Sequence, residues 1–144
     1  YYDEQGNLIS EKDILSIESG KGFWLEVKML PADEIKGYIH IDNIALTQVL
    51  PSGWEIENIR AVNGEYPQWV EERTANTYVE YEDIRDDRVM WFFDFNNYNA
   101  GGNSFFVKVN AVTKGKFDFP GTTAEAMYNN NCRAYLKGFR AEVK

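Results

Sequence analysis

The most regular hydrophobic pattern of the chain lies between residues 88 and 95, where apolar and mixed positions alternate. The apolar positions are Val89, Trp91, Phe93 and Phe95. The intervening positions are Arg88, Met90, Phe92 and Asp94. A period of two residues is typical of a β-strand, whose side chains point alternately to opposite faces. The pattern therefore predicts a central strand of a sheet, with its apolar face packed against another layer.

A run of charged residues stands directly before this strand. It consists of Arg85, Asp86, Asp87 and Arg88. Because buried charges need partners, we place the run in a turn that leads into the strand. We interpret it as a solvated corner with two local acid–base pairs rather than as a catalytic site. Exposed ion pairs of this kind contribute about 0–1 kcal/mol each.

Further segments of the chain alternate with the same period and predict further strands. They span residues 23–29, 37–50, 54–59, 78–81, 105–112, 116–119 and 139–144. The composition of residues 96–103 predicts a hairpin loop. We therefore expect the strand at 89–95 to pair antiparallel with the strand at 105–111.

Interruptions of the pattern predict a bulge and another turn. The alternation within 37–50 breaks at Asn43 and Ile44, which indicates a bulge or bend. Pro120 and Gly121 are typical turn residues and predict that the chain reverses there.

Helical signals are few. Ser10, with Asp13 three residues later, has the spacing of a helix cap and predicts about one helical turn. Pro67 predicts the start of a short helix that runs through Arg73. Strands bounded by turns, with one or two short helices, predict an all-β fold, an antiparallel β-sandwich.

Composition limits the classes of protein to consider. The 144 residues, 44% of them hydrophobic, suffice for one domain with a core. We expect a single domain over 1–144, in which 1–22 arrive from a preceding module. The net charge of −8 argues against nucleic acid, which binds basic surfaces. No segment approaches the roughly 18 apolar residues of a membrane span. Because the sequence opens on Tyr1, we interpret the chain as a piece of a longer protein.

Candidate catalytic and metal-binding chemistry is sparse. His40 is the only histidine and Cys132 the only cysteine. We interpret them as a strand histidine and a packing or loop thiol rather than as metal ligands. Asp83, Asp86 and Asp87 lack the residue order of a calcium-binding loop. We therefore expect a noncatalytic binding or structural module without a metal or cofactor.

Two other classes of function stay open at this stage. Tyr66 and Trp69 fall in an irregular segment and Tyr98 in a predicted loop, where exposed rings would form the sugar-binding face of a carbohydrate-binding or adhesive module. Core packing is the commoner role of such rings, and exposure separates the two. A glycosidase would need a cleft with two converging carboxylates, for which a small sandwich leaves little room.

Three segments, taken in order, resemble the C-terminal macroglobulin-like domain of the bacterial α2-macroglobulins. They are IALTQVLPSGWEIEN at 44–58, YEDIRDDRVMWFFDF at 81–95 and FVKVNAVTKGKFDFPGTTAEAMYNNNCRA at 106–134. Their most distinctive pieces contain Trp54, the charged run 85–88 and the AEAMY run at 124–128. The resemblance covers roughly the last hundred residues. It implies a macroglobulin- or immunoglobulin-like form of the sandwich.

The same resemblance implies a function. Members of the family are large cell-envelope proteins that trap proteases after the protease cuts a bait region, and many of them capture it through a buried thioester. In those members a loop of the terminal domain with a Met-Tyr pair covers the thioester. On this chain the loop corresponds to Met127 and Tyr128, next to Glu125. Cys132 is not the reactive group, because the Cys-x-x-Gln sequence of a thioester is missing around it.

The resemblance also implies partners and a location. The expected partners are the other domains of the parent chain and the proteases that the parent traps. The expected location is the bacterial cell envelope, either periplasmic or membrane-anchored through the parent chain.

Overall fold

The computed structural model describes residues 1–33, 35–99 and 101–144. Its helices and strands are, in chain order, α1 (Glu11–Leu15), β1 (Ser16–Ile17), β2 (Gly22–Met29), β3 (His40–Val49), β4 (Trp54–Glu57), α2 (Gln68–Thr74), β5 (Tyr81–Ile84), β6 (Arg88–Asn96), β7 (Asn103–Ala111), β8 (Gly115–Ala126) and β9 (Asn129–Val143). Neither helix of the described residues is long and apolar enough to cross a membrane.

The strands form two sheets of unequal width. The large sheet has the order β1-β9-β8-β3-β6-β5, and the small sheet has the order β2-β7-β4. Neighbouring strands are antiparallel, except that β1 runs parallel to β9. Side chains from both sheets form one hydrophobic cluster between them. The predicted all-β sandwich is therefore confirmed.

Strand β6 is the central strand that the hydrophobic pattern predicted. It lies between β3 and β5 in the large sheet. The predicted inner positions are buried: Val89, Trp91, Phe93 and Phe95. The alternate positions are half-buried and face outward. The charged residues before it form the turn of the β5–β6 hairpin, as expected, and Arg88 opens the strand itself.

The predicted bulge in β3 is present. The register of β3 against β6 shifts between Ile41 and Ile44. Asn43 has a φ of 55°. Asparagine tolerates this left-handed conformation better than most residues, so the bulge falls where the sequence accommodates it.

The expected pairing of β6 with β7 is wrong. Strand β7 lies in the small sheet, between β2 and β4. Residues 97–102 thus cross from one sheet to the other instead of forming a hairpin, and position 100 of that segment lies outside the described residues. The physical reason is that β7 buries side chains on both of its faces, including the neighbours Phe105 and Phe106. Such a strand requires cover on both sides, and the centre of the small sheet provides it.

The expected turn at Pro120 and Gly121 is also wrong. Strand β8 continues through both residues, and β9 runs antiparallel to it from Asn129 instead of beginning near residue 139. Strand β3 pairs with β8 over Thr122–Ala126, beyond the proline. The missing N–H of Pro120 therefore removes no β3–β8 hydrogen bond.

Both helices lie near their predicted positions, whereas one strand is displaced. Ser10 caps α1 by accepting a hydrogen bond from the backbone N–H of Asp13 at 3.2 Å. Pro67 stands immediately before α2. The strand expected at 78–81 instead occupies Tyr81–Ile84, so that prediction is wrong except at its last residue.

A second, smaller hydrophobic cluster covers the outer face of the small sheet. Its buried members are Trp24, Ile59, Val70 and Phe106. Tyr2, Tyr66 and Trp69 pack against them. Tyr2 also forms backbone hydrogen bonds with Trp24 in both directions, at 2.9 and 2.8 Å. The first residues of the chain and α2 thus become part of the sandwich.

Candidate functional site at the β8–β9 hairpin

The predicted Met-Tyr loop is the turn between the two longest strands. Strands β8 and β9 pair along their length, and the turn falls between Ala126 and Asn129. The backbone N–H of Met127 donates to the carbonyl oxygen of Asn43 at 2.9 Å. The turn is therefore fixed to the β3 bulge at its first residue.

Both side chains of the pair are exposed. Met127 is 44% exposed and Tyr128 is 84% exposed. The preceding residues alternate: Ala124 and Ala126 are buried, whereas Glu125 faces solvent opposite Arg133. The hairpin thus presents an apolar and an aromatic side chain at its tip, with a carboxylate just behind them.

An apolar groove lies beside this tip. It runs between the β2–β3 connection and the inner face of the hairpin, and its lining includes Leu30, Ile35, Ala126 and Ala134. Leu30 is 55% exposed, and Leu136 farther along β9 is 64% exposed. Ala134 and Leu136 of β9 pair with buried residues of β8, Ala124 and Thr122, yet both meet solvent.

The charged run before β6 is a solvated corner. Arg85 Nε lies 2.9 Å from Asp83 Oδ2, and Arg88 Nη2 lies 2.7 Å from Asp87 Oδ2. The hydrogen bond from Arg88 holds the pKa of the Asp87 carboxyl below its usual value. Asp86 faces solvent. The backbone carbonyl of Asp87 accepts from Leu50 N at 2.8 Å, which joins this turn to the end of β3.

Trp54 has a structural place in the core. It is 2% exposed, and its ring lies 4.9 Å from Phe23 and 5.7 Å from Phe119, centroid to centroid. Gly53 before it has no room for a side chain, because an added Cβ would lie 2.3 Å from the Phe117 ring. Packing thus explains the Gly-Trp pair of the distinctive Pro-Ser-Gly-Trp sequence.

The aromatic residues proposed for a sugar-binding face are not gathered into one. Trp24 packs against Tyr66 at 5.8 Å and against Trp69 at 6.0 Å, centroid to centroid. Tyr98 is exposed and instead lies 4.5 Å from the ring of Tyr38. Two of the three rings therefore serve packing, and nothing in this arrangement favours the carbohydrate-binding alternative.

The acidic depression near the chain start is explained by local structure. Its lining includes Asp3, Glu4, Asp13 and Glu18. The carboxylate of Asp3 accepts hydrogen bonds from Asn7 and, to a lesser extent, from Gln5, which lower the pKa of Asp3. Asp13 accepts from the Ser10 hydroxyl at 2.6 Å, and Glu4 lies 3.4 Å from Lys108 Nζ. Three of the four carboxylates thus stabilise a turn, a cap and an ion pair, so the depression does not favour the glycosidase alternative.

Cys132 and His40, considered together from the sequence, lie in different surroundings. Cys132 is half-buried and lines the apolar groove. His40 instead lies with Asp42 and Asp94 on the β3–β6 pair. Sequence reasoning missed this group, because Asp94 is distant in the chain. The available signal was the two-residue spacing of His40 and Asp42 on one predicted strand.

Sequence comparisons relate the whole arrangement to known proteins. A family model described as the bacterial alpha-2-macroglobulin MG10 domain matches residues 1–131. An alpha-2-macroglobulin homolog of Yersinia pestis is 25% identical over 153 aligned positions, which cover 96% of this chain and 7% of that protein. An alpha-2-macroglobulin of Xylella fastidiosa is 34% identical over 94 positions, which cover 58% of this chain and 5% of that protein. The chain thus spans a small part of either relative.

Solved structures share the fold. Salmonella alpha-2-macroglobulin reacted with methylamine superposes with a TM-score of 0.78 at 22% identity, over 99% of this chain and 9% of that one. Trypsin-activated alpha-2-macroglobulin from Escherichia coli gives a TM-score of 0.76 at 21% identity, over 99% of this chain and 10% of that one. These likenesses concern the fold alone.

Proposed function

The chain belongs to the bacterial alpha-2-macroglobulin MG10 domain family, and on that premise we propose that it is a noncatalytic, C-terminal domain of a protease-trapping protein. In this role the Met127–Tyr128 turn packs on the thioester domain of the same parent and shields the thioester, where the parent has one. The single domain over 1–144 is part of this proposal, as is a location in the bacterial cell envelope.

The exposure of the hairpin tip is the observation that carries the proposal. A thioester survives in water only while water and amines are kept from it, and apolar side chains that close over it do this. Methionine adapts its shape to irregular surfaces, and tyrosine adds a broad ring with a polar end. Met127 and Tyr128 are available for this role, because both side chains are exposed at the tip of the hairpin.

The proposed partners are the other domains of the parent and the proteases it traps. The chain covers 7% of its Yersinia relative, so a parent of similar size would supply many neighbouring domains. Among the structural neighbours, one was reacted with methylamine and one was activated by trypsin. An amine and a protease are also the reagents that a thioester-bearing trap would meet.

The test uses the full-length parent protein. It is incubated with methylamine, before and after addition of a protease, and the adduct is followed by mass spectrometry. We expect Met127→Ala and Tyr128→Ala to be labelled faster than wild type before any cleavage, because amines would reach the thioester. Tyr135→Ala is the matched control: it removes an exposed tyrosine from the same hairpin, 63% exposed, away from the tip.

Two results would contradict the shielding role. Equal labelling rates in wild type, Met127→Ala and Tyr128→Ala would mean that the turn does not cover the thioester. The lack of an adduct in every form would mean a parent without a reactive thioester. The domain would then serve as a structural cap, with Met127 and Tyr128 as packing residues of an interdomain contact.

A further inference from the structure

A group of metal-ligating side chains lies beside the hairpin turn and takes no part in the function proposed above. His40, Asp42 and Asp94 each offer one donor atom, and these atoms all lie within 4.8 Å of one another. The Nε2 atom of His40 is 2.6 Å from Asp42 Oδ1. All three side chains belong to the outer surface of the β3–β6 pair, where a cation from solvent has direct access.

The β3 bulge explains why the three donors meet. His40 pairs with Asn96, and the register then shifts between Ile41 and Ile44. The bulge brings the backbone N–H of Asn43 to 2.8 Å from Asp94 Oδ1, which orients that carboxylate. Among the described residues, no hydrogen bond or ion pair engages the second oxygen of Asp94. Hydrogen bonds of this kind commonly orient metal-binding carboxylates.

The ring of His40 is also positioned by a neighbour. Tyr38 stacks on it with a centroid separation of 6.5 Å and an interplanar angle of 24°. Tyr38 is in turn held against Tyr98, at 4.5 Å. The imidazole therefore rests against Tyr38, with Nε2 directed at the Asp42 carboxylate.

The charges of the group are left unbalanced by the rest of the domain. Some half-buried acids elsewhere are paired with bases, as Glu82 is with Arg60 and Asp83 with Arg85. Within residues 1–33, 35–99 and 101–144, Asp94 forms no ion pair, and the ion pair of Asp42 is with His40. Among the described residues, no lysine or arginine forms an ion pair with either of these neighbouring carboxylates. A divalent cation would balance their charge.

We propose that His40, Asp42 and Asp94 form a binding site for a divalent transition-metal cation, with Zn²⁺ as the best fit. An imidazole with two carboxylates suits zinc better than Mg²⁺ or Ca²⁺, which prefer oxygen ligands alone. Tetrahedral coordination with bonds of about 2.1 Å would place donors about 3.4 Å apart, which rotation of exposed side chains within this group can reach. The fourth position is open to water or to a ligand atom from a partner.

The position of the site gives it a structural consequence. Asn43, which orients Asp94, also accepts the backbone hydrogen bond of Met127 through its carbonyl oxygen. A cation held by Asp42 and Asp94 would join β3 to β6 at the bulge. It would thereby stiffen the support of the Met127–Tyr128 turn. The site itself does not depend on what the turn contacts.

The test is a titration of the 144-residue protein with ZnCl₂, followed by calorimetry and by NMR of the imidazole. His40 is the only histidine, so its ring resonances are unambiguous. We expect one equivalent of Zn²⁺ to bind and to shift those resonances, whereas MgCl₂ should leave them unmoved. Asp42→Asn and Asp94→Asn should each weaken Zn²⁺ binding by about tenfold or more, because each loses one anionic ligand.

Asp118→Asn is the matched control, because Asp118 is an exposed strand aspartate that pairs with Arg140 at 3.1 Å. It changes the net charge by the same amount outside the site, and its Zn²⁺ affinity should equal that of wild type. Asp42→Asn is the deciding variant, since Asp94 also holds the backbone of Asn43. Equal affinities of Asp42→Asn and Asp118→Asn, or unmoved His40 resonances, would reduce the binding to general attraction by a domain of charge −8 and overturn the site.

Discussion

The outer face of the small sheet and the tip of the β8–β9 hairpin carry similar side chains, but these are buried on the sheet and exposed at the tip. On the small sheet, Trp24 is 2% exposed and Phe106 is 5% exposed, because the chain start and α2 cover them. At the hairpin tip, Met127 and Tyr128 are 44% and 84% exposed. Apolar and aromatic side chains are thus covered by the rest of the domain at the small sheet and open to solvent at the hairpin tip.

The two regions contribute differently to the protein. Burial of a large apolar side chain stabilises a fold by about 1.5–3 kcal/mol, so the covered face supports the domain itself. An exposed ring gains little of this within its own chain. Its apolar surface remains available to stabilise a contact with another domain. Stability and proposed function are therefore carried by different aromatic residues, and substitutions can separate them.

The largest effect is expected at the covered face. Trp24→Ala should lower the free energy of unfolding by about 3–5 kcal/mol, because it removes the buried ring against which Tyr66 and Trp69 pack. Urea denaturation followed by circular dichroism measures the loss.

Tyr128→Ala is the corresponding substitution at the exposed tip of the β8–β9 hairpin. Its free energy of unfolding should stay within about 0.5 kcal/mol of wild type, as for surface substitutions generally. A loss comparable to that of Trp24→Ala would show that Tyr128 supports the domain, and the comparison between the two regions would fail.

A smaller effect is expected where the hairpin joins the sandwich. An added Cβ at Gly138 would lie 1.8 Å from the backbone oxygen of Phe119 on the paired strand. Gly138→Ala should therefore push the strands apart and cost about 1–3 kcal/mol, as overpacking does. Hydrogen exchange of the backbone amides should become faster in β8 and β9 than in β2 and β7, because the strain lies at the hairpin.

Lys137→Ala is the matched control for that substitution. It alters the preceding, exposed position of the same strand and should leave both stability and exchange close to wild type. Uniformly faster exchange in Gly138→Ala, without preference for the hairpin, would mean that the two sheets unfold as one unit.

Strand positions could be predicted from the sequence where each strand has one inner and one outer face. Strand β6 shows this, because Val89 to Phe95 alternate between buried and half-buried positions as the pattern predicted. Pairing could not be predicted in the same way. Alternation tells which side chains share a face, not which strand lies alongside, and so β7 was assigned to the wrong neighbour.

Turn composition was a weaker guide inside the long hairpin. Proline and glycine are common in turns, yet strand β8 continues through Pro120 and Gly121 with β9 alongside it. Gly121 has a φ of 97°, so the strand is distorted there rather than reversed. A proline is tolerated in a strand where no neighbouring strand needs its N–H as a hydrogen-bond donor. At Pro120 this condition depends on where the pairing with β3 ends, which the local sequence does not reveal.

The candidate sites were predictable to different degrees. Met127 and Tyr128 were identified through the family resemblance, and their exposure follows from the hairpin turn that carries them. The group of His40, Asp42 and Asp94 could not be predicted from the sequence, because the position of Asp94 beside the other two depends on the register of β3 against β6 across the bulge. Such a register is a property of the paired strands and not of either sequence alone.

The smallest effect concerns the pH dependence of the covered face. Burial raises the pKa of the Tyr66 phenol, with a further contribution from Glu82. The folded state therefore prefers the protonated phenol, whereas the unfolded chain ionises near pH 10. This contribution to stability is complete below about pH 10 and is lost as the pH rises through the higher folded pKa.

We expect wild type to lose up to about 1 kcal/mol more than Tyr66→Phe between pH 8 and pH 11, since water screens the half-exposed ring. Urea denaturation at both pH values measures the difference. An equal alkaline loss in wild type and Tyr66→Phe would show that burial at the covered face does not control this ionisation.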